Sequence, residues 1–119
     1  MDSNTTIEEL KIRIKKFNAD RDWDQFHNAK DLAIAISTEA AEVLEHFIYK
    51  SNDEVEAIFE GNKKTDIEDE IADVFWTVLM LCERYNIDLS DSLKKKMEKT
   101  AKKYPIDKAK GSNKKYNEL

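Results

Sequence analysis

The sequence predicts an all-α fold of four to five helices, and three observations carry that prediction. Charged residues make up 38% of the 119 positions, while glycine occurs twice and proline once. Such a composition suits long helices and offers little of the turn chemistry that an all-β chain of this length needs. Apolar residues, 40% of the chain, recur at three- and four-residue intervals over most of its length. A chain this short is most simply one domain over residues 1–119, and its small core implies stability drawn partly from contacts between copies.

The first helix is placed at about 5–19, capped by Thr6 or Asn4, because Ile7, Leu10, Ile14 and Phe17 fall at helical spacing. The next stretch, RDWDQFHNAK, mixes aromatic, Asp and Asn residues without a sustained period and reads as a connection whose rings need a surface. From Ala29 to Lys50 the residues Leu32, Ala35, Ile36, Ala40, Val43, Leu44, Phe47 and Ile48 form an apolar arc too wide for a helix lying on one neighbour. A short helix over Glu54–Phe59 precedes the turn signal of Gly61 and Asn62. Thr65 or Asp66 is the cap for a helix reaching about Tyr85. The last helix, capped by Ser90 or Asp88, carries Leu93, Met97 and Ala101 on one face and ends before Pro105. Beyond about residue 105 a basic tail is expected to be extended and flexible, since IDKAKGSNKKYNEL holds few apolar residues.

Charge is unevenly spread. Residues 1–93 hold 10 Lys/Arg against 22 Asp/Glu, and residues 94–119 hold 10 against 3. A basic terminal segment suits nucleic acid, a membrane surface, a phosphorylated small molecule or simple solubility, so alone it selects none of them. Cys82, the single cysteine, follows Leu79, Met80 and Leu81 and is expected to be a buried, inert thiol. No apolar run approaches the ~20 residues that span a bilayer, and MDSNTTIEEL lacks the features of a secretory leader. The expectation is a soluble, cytoplasmic protein without membrane partners.

Two carboxylate rows stand out. Glu39 and Glu42 lie one turn apart, and no Lys or Arg occurs between Asp31 and Lys50. In EDEIADVFWTVLML, Glu70 and Asp73 enter a strongly apolar helix, and no Lys or Arg occurs from Thr65 to Glu83. At ~100° per residue, Asp66, Glu70, Asp73 and Thr77 form one polar stripe, bordered by Ile67, Ile71 and Val74 on one side and Trp76 and Met80 on the other. Packed antiparallel, the two helices bring four carboxylates together. Such a cluster repels itself unless protonated or filled by cations, and an all-oxygen shell suits Mg²⁺, with Mn²⁺ a possible substitute. Zinc is disfavoured because these positions offer no Cys or His. His46 follows Glu42 by four residues rather than three, which weakens a di-iron reading. A solvated acidic strip and a cation site both remain open on this pattern alone.

The arrangement Glu39-x-x-Glu42, 27 intervening residues, then Glu70-x-x-Asp73 resembles the metal motif of the MazG-like, all-α nucleoside triphosphate pyrophosphohydrolases. RDWDQFH, EAAEVLEHFIYK, EDEIADVF, KKYP and KGSNKKYNEL extend the resemblance to the dCTP pyrophosphatase branch over nearly the whole chain from Phe17. The resemblance implies Mg²⁺-dependent hydrolysis of a nucleoside triphosphate to the monophosphate and pyrophosphate, on a helical bundle assembled as a homodimer or homotetramer. It also implies Glu39, Glu42, Glu70 and Asp73 as metal ligands, with Glu42 or Glu39 orienting the attacking water. Lys103, Tyr104, Lys110 and Lys115 fall in the segment that closes over the triphosphate in relatives. Trp23 and His27 match positions bordering the base pocket, whereas Phe26 reads as a staple holding the connection to the bundle. His27 is equally suited to contacting the base or to capping the following helix.

The chain departs from that branch at three positions. Tyr49 stands where Trp is usual, Thr77 where Tyr is usual, and Thr100 where Asn usually precedes KKYP. All three bear on which base is preferred, and none alters the metal motif. Loss of an aromatic at Thr77 removes stacking area or a phenol, and a polar contact discriminates better than bulk alone. The leading expectation is therefore a pyrophosphohydrolase of the nucleotide pool acting on dCTP or a related pyrimidine deoxynucleotide. The alternative is a non-catalytic helical protein that binds nucleotide and metal. A nucleic-acid-binding helical module is a third class, and the acidic body of the chain argues against it.

Overall fold

Thr6 opens the first long helix, α1 (Ile7–Asp20), through a reciprocal cap. Its hydroxyl accepts from the Glu9 N–H at 3.1 Å, and the Glu9 carboxylate accepts from the Thr6 N–H at 2.7 Å. This satisfies two amides that the helix start would otherwise leave unpaired. The structure, a computed structural model, describes all residues from 1 to 119, and they form two units, Met1–Asn86 and Ile87–Leu119. The first also holds α2 (Ala29–Glu45), α3 (Asn52–Glu60) and α4 (Lys64–Arg84), and the second holds α5 (Leu89–Lys103) and α6 (Ile106–Ala109). Single 3₁₀ turns occur at Asp2–Asn4, Asp24–Phe26 and Tyr116–Glu118, and there is no strand. The sixth helix is one turn, found where the sequence suggests an extended tail.

Side-chain caps start three further helices. Asn28 accepts from the Asp31 N–H, Ser51 from the Glu54 N–H and Asp88 from the Asp91 N–H. Two boundaries differ from the periodicity. The α2 helix stops at Glu45 rather than Lys50, and residues 46–49 turn until Tyr49 reaches φ 61°. Phe47 and Ile48 prolong the apolar pattern although the backbone has left the helix. Neither Thr65 nor Asp66 caps α4. Lys63 holds the cap position without a side-chain bond, and backbone turns supply the first bonds, Lys64 N–H to Gly61 O and Asp66 N–H to Lys63 O.

Within the first unit α4 is the centre: α2 packs most extensively on it, α1 lies on it, and α3 touches it. Ile14, Leu32, Ile67, Leu79 and Cys82 form the buried core, consistent with an inert thiol. At the far end the Tyr85 hydroxyl accepts from the Ala29 N–H at 2.7 Å, tying the start of α2 to the end of α4. Trp76 meets Phe17 edge-on at 5.0 Å, and Trp23 meets the same ring at 5.9 Å. The Arg21 guanidinium lies 3.6 Å from the Phe17 ring centroid. The connection after α1 is thus anchored through Trp23. Phe26 is 64% exposed and does not act as the expected staple.

Many apolar side chains are not covered within the chain. Ile34 and Leu44 of α2 and Ile71 and Phe75 of α4 are all exposed. The breadth of the α2 arc suggests a central helix, but α4 holds the centre, and Leu44 of that arc stays exposed. In the second unit, Leu93 and Met97 of α5 are likewise exposed. There the Tyr116 N–H donates to the Tyr104 hydroxyl at 3.2 Å, the two rings meet edge-on, and Lys103 Nζ lies 4.8 Å from the Tyr116 ring centroid. No helix is long and apolar enough to cross a membrane.

Candidate metal centre

The two acidic rows reach the same place because α2 and α4 run antiparallel. Ala29 meets Tyr85 at one end, Glu39 meets Asp73 in the middle, and His46 meets Glu70 further on. Each helix contributes acids at i and i+3, a spacing that stacks side chains on one face. One oxygen each from Glu39, Glu70 and Asp73 lie within 4.8 Å of one another. Glu42 stands outside that tight group, yet its carboxyl faces both Glu39 and Glu70 closely enough to perturb them.

The electrostatics follow from this crowding. Burial pushes the Glu39 carboxyl above its ordinary range, and the charges of Glu42, Asp73 and Glu70 add to the rise. Glu70 is raised chiefly by side-chain contact with Glu42, then by burial and by the Glu42 charge, while His46 works in the opposite direction. His46 Nε2 lies 3.6 Å from Glu70 Oε1. The lysine ion pairs, Lys15–Glu83, Lys16–Asp20, Lys64–Glu68 and Lys95–Asp91, do not involve the cluster. An anionic group without Lys or Arg compensation, built wholly of hard oxygen donors and partly open to water, fits a hydrated divalent cation.

The other singled-out residues have different surroundings. Thr77 continues the acidic stripe of α4 but is only 7% exposed, and its hydroxyl donates to the Asp73 carbonyl at 2.8 Å. That bond is satisfied inside its own helix, one turn from a cluster acid. Trp23 is exposed, with one edge on Phe17. His27 ends the adjacent 3₁₀ turn, and the cap of α2 is Asn28 rather than His27. Tyr49 is fully exposed (103%) on the turn after α2, in the left-handed region that bulky residues rarely occupy. Thr100, Lys103, Tyr104, Lys110 and Lys115 all belong to the second unit. Lys103 and Tyr104 there engage Tyr116, as described above.

His46, weighed in the sequence only against a di-iron site, makes an unexpected contact with Glu70. The available signal is its place one turn after Glu42 on the acidic face. A lone histidine at such spacing does not reveal which neighbour on another helix it will meet.

Comparison with known proteins places this arrangement in a family. Residues 34–119, which include all four acids, match the model of the MazG-like family. Rat dCTP pyrophosphatase 1 is 30% identical over 115 residues, covering 96% of this chain and 68% of that protein. The human dCTP pyrophosphatase 1 shows the same identity and coverage. The crystal structure of a pyrophosphatase from Archaeoglobus fulgidus superposes with a TM-score of 0.78 at 41% identity, over 82% of this chain and 91% of that one. With its acids gathered on antiparallel helices and the match running through both acidic rows, the chain belongs to the MazG-like family.

Proposed function

We propose that this protein is a nucleoside triphosphate pyrophosphohydrolase that uses Mg²⁺ to hydrolyse dCTP or a related pyrimidine deoxynucleotide to the monophosphate and pyrophosphate. The observation that carries the proposal is the meeting of Glu39, Glu70 and Asp73 oxygens within 4.8 Å. Family membership and the activity named for the rat and human relatives support the reaction class. Glu39, Glu70, Asp73 and, beside them, Glu42 would hold Mg²⁺, and Mn²⁺ would substitute for it. When bound, the ion would supply positive charge that offsets the triphosphate and the charge carried by the oxygens of the attacked phosphoryl group.

The chain's own groups supply the rest. Either Glu39 or Glu42 orients the attacking water and accepts its proton. Water oxygen bonds to phosphorus, the α–β phosphoanhydride breaks, and pyrophosphate leaves with the electrons of that bond. Lys103, Lys110 and Lys115, with Tyr104, complement the phosphate oxygens. Trp23, His27 and Thr77 serve the base and sugar side, where the Trp23 face offers a stacking surface; Tyr49, at the opposite end of α2 from His27, and Thr100, in the second unit, are further candidates for setting base preference. Residues 1–119 act as one catalytic domain, whose basic segment from about 105 carries a one-turn helix and a 3₁₀ turn. The exposed Ile34, Leu44, Ile71 and Phe75 favour a homodimer or homotetramer.

A panel of deoxy- and ribonucleoside triphosphates, assayed with Mg²⁺ for pyrophosphate release, tests the proposal. The expected result is turnover with dCTP or a close pyrimidine relative among the best substrates, and loss of turnover in Asp73→Asn. Binding without turnover of any nucleotide would refute the enzymatic reading. Light scattering coupled to gel filtration tests the assembly, and a monomer at micromolar concentration would refute it.

A further inference from the structure

His46 meets the acidic cluster but has no part in the reaction as derived above. It lies at the C-terminal cap of α2, one turn beyond Glu42. Its side chain is 27% exposed and that of Glu70 is 24% exposed, so the contact is mostly shielded from water. It is also selective: oxygens of Glu39, Glu70 and Asp73 form the tight group, and His46 lies outside it while approaching Glu70 Oε1 at 3.6 Å. A carboxylate has two oxygens and about four acceptor positions. A ring N–H on Oε1 therefore leaves other acceptor positions of the carboxylate to serve a cation.

Mutual repulsion supplies the reason such a contact matters. Glu70 sits beside like-charged Glu42, Glu39 and Asp73, so in the absence of a cation its carboxylate gains by swinging toward solvent. Resting on the metal site and reaction proposed above, we propose that His46 is a positioning residue. Its Nε2–H holds Glu70 in the rotamer that faces Glu39 and Asp73, so that the metal site is formed before the ion arrives. Both the neutral Nε2–H tautomer and the imidazolium donate from this atom, and the role is independent of the charge state. At 3.6 Å the contact is longer than a well-formed hydrogen bond. Residues that orient a metal ligand from behind are worth about 10–100-fold in metal affinity.

The experiment is a Mn²⁺ titration of the full chain, read by loss of the free-ion EPR signal, for the unaltered protein, His46→Leu, His46→Gln and Asp73→Asn. The unaltered protein is expected to bind Mn²⁺ and Asp73→Asn to lose it. His46→Leu should bind about 10–100-fold more weakly, and His46→Gln, whose amide can still donate, should recover most of that loss. Thermal melts in EDTA check that each variant is folded, and His46→Ala takes the place of His46→Leu if the latter is not. Equal affinity in His46→Leu and the unaltered protein, or no recovery in His46→Gln, would overturn the inference while leaving the metal site standing. A ¹⁴N coupling on bound Mn²⁺ that disappears in His46→Leu would overturn it in favour of direct ligation. No Mn²⁺ binding by the unaltered protein would overturn both the metal site and the role of His46.

Discussion

Replacing Glu39 by Gln should stabilise the metal-free protein and destabilise the metal-loaded one. In EDTA, Glu39 faces like charges at separations of up to 4.8 Å. One such pair repels by about 0.9 kcal/mol in a water-like dielectric, and added salt lowers this. The neutral amide of the variant also avoids the burial of a charge, the main cause of the raised Glu39 carboxyl. The net gain is on the order of 1 kcal/mol, which moves the melting temperature of a chain this size up by about 4 °C. With Mg²⁺ at about 100 times its Kd, the unaltered protein gains about 2.7 kcal/mol, and the variant forfeits most of that by losing a ligand. The order of the two melting temperatures therefore reverses between EDTA and Mg²⁺. Circular dichroism melts of both proteins in both buffers suffice. The same order in both buffers would refute the reasoning, because a merely solvated strip has no reason to invert.

The raised carboxyls of Glu39 and Glu70 predict a pH dependence with a definite sign. In EDTA the folded state holds these protons more tightly than the unfolded state. Stability from this source is therefore greatest below the ordinary carboxylate pKa and is lost as pH rises through the raised values. The decline should be shallower in Glu39→Gln, and melts across a pH series measure the difference. Ile67 is 1% exposed, so Ile67→Ala should cost about 2–5 kcal/mol in chemical denaturation; a loss below about 1 kcal/mol would show that the site collapses around the gap. Tyr49→Gly removes an exposed side chain from a left-handed backbone position, which should stabilise the protein by about 1 kcal/mol. The same change should raise KM for the preferred nucleotide if Tyr49 lies on the base side, and an unchanged KM removes it from the proposed pocket.

The helices were legible in the sequence where their apolar period was long, and two i, i+3 acid pairs without a neighbouring base pointed to the meeting of Glu39, Glu70 and Asp73, though not to Glu42 lying outside that group. Boundaries were less legible. Phe47 and Ile48 keep the period of α2 after its backbone has turned, and backbone turns from Gly61 and Lys63 start α4 without help from Thr65 or Asp66. The His46–Glu70 contact joins two helices and depends on their register, which no single-helix pattern encodes. The inward hydroxyl of Thr77 was hidden for a related reason: a threonine in a polar stripe can face outward or bond its own backbone one turn back. The exposure of Phe26 likewise depends on which ring reaches Phe17 first, and Trp23 does.

The ring of Phe17 has a practical consequence for optical measurements. Both tryptophans of the chain, Trp23 and Trp76, lie edge-on to it, and residues 87–119 contain none. Tryptophan emission is therefore a local reporter, sensitive to the seating of the connecting segment against α1 and α4. A ligand that stacks on Trp23 should change that emission without unfolding anything. Tyr104 and Tyr116 of the second unit share the tyrosine emission with Tyr49 and Tyr85 of the first, so tryptophan, not tyrosine, is the signal confined to one unit of an unlabelled molecule.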